Sequence, residues 1–179
     1  IITKAHHEKF CIYNLKYDIM IGEYEFNYGD DHGATICFGN QFYNENDLFP
    51  LLYSSAAYNQ QNCIYVYRLH KVNDEYKLTR VQTIKLPSLE LTEQHYPNMM
   101  IDNEKELMYV WGYKKATNGL DEENVITFST YKLPRFINRV EIEVVELTMD
   151  DMISKFTIPN YQTSQSGFYR NGYIYKYYL

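Results

Sequence analysis

Cys63-Ile64-Tyr65-Val66-Tyr67-Arg68-Leu69 is the stretch that decides the fold. Successive side chains of an extended chain point to opposite faces. Here both faces are apolar, Cys63, Tyr65, Tyr67 and Leu69 on one and Ile64 and Val66 on the other. That is the pattern of a strand sandwiched between two layers. Its closing Tyr67-Arg68-Leu69 has counterparts in Tyr13-Asn14-Leu15 and Tyr131-Lys132-Leu133. A β-prone run precedes each, Phe10-Cys11-Ile12 and Val125-Ile126-Thr127-Phe128. From Tyr13 to Tyr67 is 54 residues, and from Tyr67 to Tyr131 is 64.

A second series keeps step with the first. Phe49-Pro50-Leu51-Leu52-Tyr53, Glu106-Leu107-Met108-Tyr109-Val110 and Tyr173-Ile174-Tyr175 place tyrosines 56 and then 66 residues apart. One polar insertion, Lys114 to Glu123 with Asn118-Gly119, accounts for the drift in both series. Short strands precede the second series at 34–38, 98–102 and 166–169, each followed by turn residues such as Gly39-Asn40 and Asn171-Gly172. A partly alternating element follows each Tyr-x-Leu, at Ile19 to Phe26, Tyr76 to Leu86 and Arg139 to Leu147. In the last, Ile142 and Val144 are expected inward and Glu141 and Glu143 outward.

The unit is therefore four antiparallel strands in 54 to 66 residues. Inner strands apolar on both faces with an amphipathic fourth strand suit radially stacked β-propeller blades. The predicted division is a half blade over 1–30, blades over 33–87 and 97–159, and a half blade over 164–179. This is all-β, with material for about three blades. Propellers have about four to eight, so the expectation is a piece of a longer ring or, if the chain is complete, a homodimer joined head to tail. The best helix candidate is Thr148 to Lys155, where Thr148 and Asp151 have capping-box spacing. The expected core contains Ile36, Phe38, Leu51, Tyr53, Ile64, Val66, Leu107, Tyr109, Val110, Ile126 and Phe128.

Composition agrees with strands: 20 Tyr and 9 Phe against a single Trp. The formal charge of −6, with no basic cluster beyond Lys114-Lys115, argues against nucleic acid. No apolar run is long enough for a transmembrane helix, and no signal peptide is visible. Cys11, Cys37 and Cys63 lack metal or redox spacing and read as small buried hydrophobes.

The run Phe49 to Ser55, the Cys63 to Leu69 strand, the Ile101-Asp102 to Tyr109 pair and Val110-Trp111-Gly112-Tyr113 together resemble the TolB-like six-bladed propeller proteins of gut bacteria. The resemblance runs from about residue 10 to the end. It implies six blades and a periplasmic or cell-surface location, and carries no established activity or catalytic residue.

Chemistry is thin in this sequence. His6-His7 and Asp30-Asp31-His32 invite a metal, but neighbours on a strand diverge and a glycine-flanked acidic stretch reads as a turn, so no metal and no cofactor is expected. Asp150-Asp151 reads as helix capping, and Glu45 and Asp47 as a solvated loop. No nucleophile elbow and no phosphate loop occurs. The remaining candidates for ligand binding are Asp31-His32 and His95-Tyr96, which occupy corresponding places just before the first strands of the two full blades, where a propeller's channel opens. Two functions stay open. One is a non-catalytic module binding a small molecule, glycan or protein. The other is a glycan lyase or hydrolase with its site at the channel mouth.

Overall fold

The computed structural model describes residues 2–4, 9–25, 35–55, 62–87, 97–114, 125–159 and 164–178. The described residues are all-β, in four open sheets. The first sheet holds β1 (Ile2–Lys4), β2 (Lys9–Asn14) and β3 (Ile19–Glu25). The second begins with β4 (Ile36–Phe38), β5 (Leu52–Ser55), β6 (Cys63–Val72) and β7 (Glu75–Lys85). Next come β8 (Asn98–Asp102), β9 (Leu107–Lys114), β10 (Val125–Lys132), β11 (Glu143–Glu146) and β12 (Met152–Pro159). The last sheet is the hairpin of β13 (Ser164–Arg170) and β14 (Tyr173–Tyr178). Neighbouring strands pair antiparallel in the orders β4-β5-β6-β7 and β8-β9-β10-β12. Two hairpins turn on residues that tolerate positive φ. Asn73 and Asp74 sit at 50° and 68°, and Asn171 and Gly172 at 52° and 84°. That geometry matches the twist of the flanking strands.

Three β-bulges fall at one place. The ladder shifts between Ile12 and Tyr13, between Val66 and Tyr67, and between Thr130 and Tyr131, in each case just before a Tyr-x-Leu. The partner strand carries the extra residue, Ile21, Val81 or Ile153. A bulge of one residue reverses which face the following side chains occupy. In β7, Leu78 therefore packs on one side of the second sheet, while Val81 and Ile84 pack on the other. In β12, Met152 faces the second sheet and Ile158 the last.

The sheets stack in chain order. Ile12 of the first packs against Leu52, Tyr65, Tyr67 and Leu69 of the second. The opposite face of the second, with Leu51, Tyr53, Ile64 and Val66, meets Met99, Met108, Val110, Tyr131 and Leu133 of the third. The far face of the third, with Met100, Trp111, Ile126 and Phe128, takes Tyr169 and Ile174 of the last. Gly167 is what allows that last approach. A Cβ there would lie 2.8 Å from the Tyr175 carbonyl and 3.4 Å from both Met100 and Trp111 side-chain atoms. Face-to-face sheets ordinarily lie about 10 Å apart. Yet β8 comes within 8 Å, Cα to Cα, of both β4 and β13, so the three first strands converge. The first and second sheets come similarly close at β3 and β7 instead.

Several expectations are corrected. Thr148 to Lys155 is not a helix. A 3-10 turn covers Met149–Asp151, and the chain then enters β12. The capping contacts exist, since the Thr148 amide and hydroxyl both donate to Asp151 Oδ2 at 2.7 Å, but β-branched Ile153, Thr157 and Ile158 favour the strand beyond. Arg139 to Leu147 is not the fourth strand of its own unit. Its core, β11, pairs in parallel with β7 of the second sheet, and β12 takes the expected place beside β10. The alternation has the opposite phase too: Glu143 and Val145 turn inward, and Val144 is 53% exposed. Glu143 is tolerated inside because Gln82 Nε2 donates to it at 2.7 Å. Among the described residues the first sheet has three strands, with β1 along the edge of β2. In β9 Met108, Val110 and Trp111 are buried, while Leu107 and Tyr109 are half-buried, as are Ile36 and Phe38 in β4. The other residues of the expected core are buried.

Candidate functional site

Leaving β10, the chain crosses from the third sheet to the second, runs as β11 along β7, and returns through the 3-10 turn to β12. This strap is pinned at each step. The Leu133 amide donates to the Glu106 carbonyl at 2.7 Å. Gln41 donates to the Pro134 carbonyl at 3.0 Å and accepts from the Phe136 amide at 2.5 Å. The Leu147 amide donates to the Lys85 carbonyl at 2.9 Å, and Lys85 Nζ pairs with Glu146 at 2.7 Å. That pairing raises the Lys85 pKa and lowers that of Glu146, although both groups are open to water.

The β4–β5 connector braces the strap from the other side. Phe136 lies on the Tyr43 ring, centroids 5.5 Å apart. The Arg68 guanidinium sits 4.4 Å from the centre of the Tyr43 ring and makes two hydrogen bonds to Asp47, at 2.8 and 2.6 Å. Asp47 is therefore a nearly buried ion-pair partner, not the solvated loop acid that its polar neighbours suggest.

Between strap and sheets lies a groove of about 740 Å³. Leu133, Pro134, Val145 and Leu147 form its apolar floor, and Gln41, Glu106, Lys132, Arg135 and Asp151 stand around it. Asp151 is held as a carboxylate by its hydrogen bonds from Thr148, which lower its pKa. Two cations and two acids over an apolar floor suit a ligand that carries both signs. The sequence marks none of these as a site, because the strap brings together residues from four separate segments.

The sequence candidates Asp31, His32, His95 and Tyr96 lie outside the described residues. So do Asp30, His6 and His7. Their neighbours are placed. Thr35 and Asn98, three residues after His32 and His95, join side chain to side chain, the Thr35 hydroxyl donating to Asn98 Oδ1 at 3.0 Å. The Thr35 amide donates to Ser55 Oγ at 2.9 Å, and all three side chains are buried. The Ser55 amide donates to the Thr35 carbonyl at 3.0 Å, just ahead of β4, while Asn98 pairs with Trp111 and Ser166 with Tyr177 in their ladders.

Among the described residues no cluster of His, Cys, Asp and Glu is arranged to hold a metal ion. None of their helices is long and apolar enough to cross a membrane. Cys11 and Cys63 are buried, and burial pushes the Cys37 thiol up to about 12. Compared with protein families, with characterised proteins and with solved structures, the chain gives no match.

Proposed function

We propose that this chain is a run of propeller blades serving as a non-catalytic binding module, with the strap groove as its ligand site. The observation that carries the reading is the mixed-charge lining of the 740 Å³ groove, a volume in the range of small-molecule and short-peptide sites. Lys132 and Arg135 would meet a carboxylate, Glu106 and Asp151 a cation, and Leu133 and Leu147 the apolar part between them. A short peptide with both charges fits that description. The shared bulge position and the convergence of β4, β8 and β13 support the blade reading. A TolB-like family, six blades in the whole ring, and a periplasmic or cell-surface location follow from the resemblance and belong to the same proposal.

Nuclear magnetic resonance titration of the labelled chain with short peptides carrying Lys and Glu tests this. Shifts should centre on Gln41, Leu133 to Arg135 and Leu147, and Lys132→Ala with Arg135→Ala should weaken binding at least about tenfold, as loss of charge-assisted contacts does. Shifts centred instead on Thr35 and Asn98, with glycans as the active probe, would move the site to the channel mouth and revive Asp31, His32, His95 and Tyr96.

A further inference from the structure

Both end faces of the stack carry exposed apolar side chains. In the first two interfaces the Tyr-x-Leu face of one sheet meets the far face of the sheet before it, and in the third the β13–β14 hairpin, which carries no such motif, meets the far face of the third sheet. Leu69 and Leu133, closing their motifs, are 1% and 5% exposed under the preceding sheet. Leu15, in the same position of the first sheet, is 89% exposed, with Tyr13 and Met20 open beside it. Tyr13 and Met20 are ladder partners and so share that side.

The other end mirrors this. Met100 and Tyr109 are ladder partners on the far face of the third sheet, and the last sheet covers Met100. Phe168 and Tyr175 are the corresponding partners in the last sheet, and their stacked rings, 4.7 Å apart, face outward with Tyr173. Neighbouring exposed apolar side chains on a sheet face mark an interaction site.

We propose that the occupant of each end face is a second copy of this chain, the last sheet of one copy stacking on the first sheet of the next. The occupant is named by continuity with the first two interfaces, since the chain carries at its ends both surfaces that such an interface requires. The contact is heterologous, using different patches on the two copies. It joins faces, whereas the sequence suggested joined strand edges. It does not depend on the groove or its ligand.

Sedimentation velocity across a concentration series tests it, with Leu15→Asp and Tyr173→Asp as variants. Both positions are exposed, and circular dichroism will show that each variant keeps its sheets. The unaltered chain should grow with concentration up to about 100 μM, where even a micromolar contact saturates. Each variant alone should stay monomeric. An equal mixture should form dimers and nothing larger, because only one intact face remains on each partner. An unaltered chain that stays monomeric overturns the proposal, as does either variant that dimerises alone.

Discussion

Leu69 and Leu15 close the same tripeptide pattern, and the structure treats them in opposite ways. Leu69 is sealed between two sheets, while Leu15 stands in water. The difference lies in what stacks on the sheet, not in the strand. The second and third sheets are covered on both faces, and their largest fully buried side chains, Trp111, Tyr53, Tyr131 and Phe128, all belong to them. The first and last sheets are covered on one face. A unit of this kind cannot bury its apolar residues alone, so stability accumulates towards the middle of the stack.

Truncating the two equivalent leucines should separate middle from end most sharply. Leu69→Ala should destabilise by about 2–5 kcal/mol, through lost transfer energy and the cavity left behind. Leu15→Ala should stay within about 0.5 kcal/mol in dilute solution, as exposed substitutions do. Urea melts of both variants measure this, and equal losses would count against the stacking order.

A smaller effect is expected inside the second sheet. A Cβ at Gly39 would lie 2.5 Å from the buried Tyr53 ring, so Gly39→Ala should cost about 1–3 kcal/mol by overpacking. The same change at Gly172, where a Cβ meets nothing, strains only the positive φ of its turn. Thermal melts separate the two.

Next is the connector brace. Asp47→Ala removes both hydrogen bonds from Arg68 and leaves the guanidinium over Tyr43, which should cost about 1–2 kcal/mol. Asp47→Asn, able to accept but uncharged, should recover part of it.

The smallest effect is a pH slope. His70 lies against Thr79, with Arg68 and Lys77 opposing and Asp47 favouring its charge. Burial first, then Arg68, lowers its pKa below 6.5. The unfolded chain then binds the proton more readily. Stability should therefore be unaffected by His70 above about pH 6.5 and should decline as pH falls through the lower folded value. His70→Gln should flatten that decline in denaturant melts across the range.

Much of the layering was legible in the sequence. Cys63 to Leu69 is a two-faced buried strand, and all three Tyr-x-Leu motifs mark the point where a ladder shifts. The bulges themselves were not legible, because an inserted Ile or Val looks like any other strand residue. Arg139 to Leu147 misled for a related reason. Its alternation fits any edge strand, and only Gln82 and Lys85, sixty residues earlier, select the second sheet as its partner. The groove was invisible because it exists only once that crossing is made. The His-containing connectors were read from position alone, and the Thr35–Asn98 pair shows that the strands they lead into start side by side.

Native-state hydrogen exchange on the dilute, monomeric chain reads the difference between middle and end sheets strand by strand. The slowest amides should lie in β5, β6, β9 and β10, with β2, β3, β13 and β14 exchanging faster through openings that leave the middle sheets intact. Protection in β2 and β14 equal to that in β6 would contradict that difference, because end strands covered on one face would then be as stable as strands covered on both.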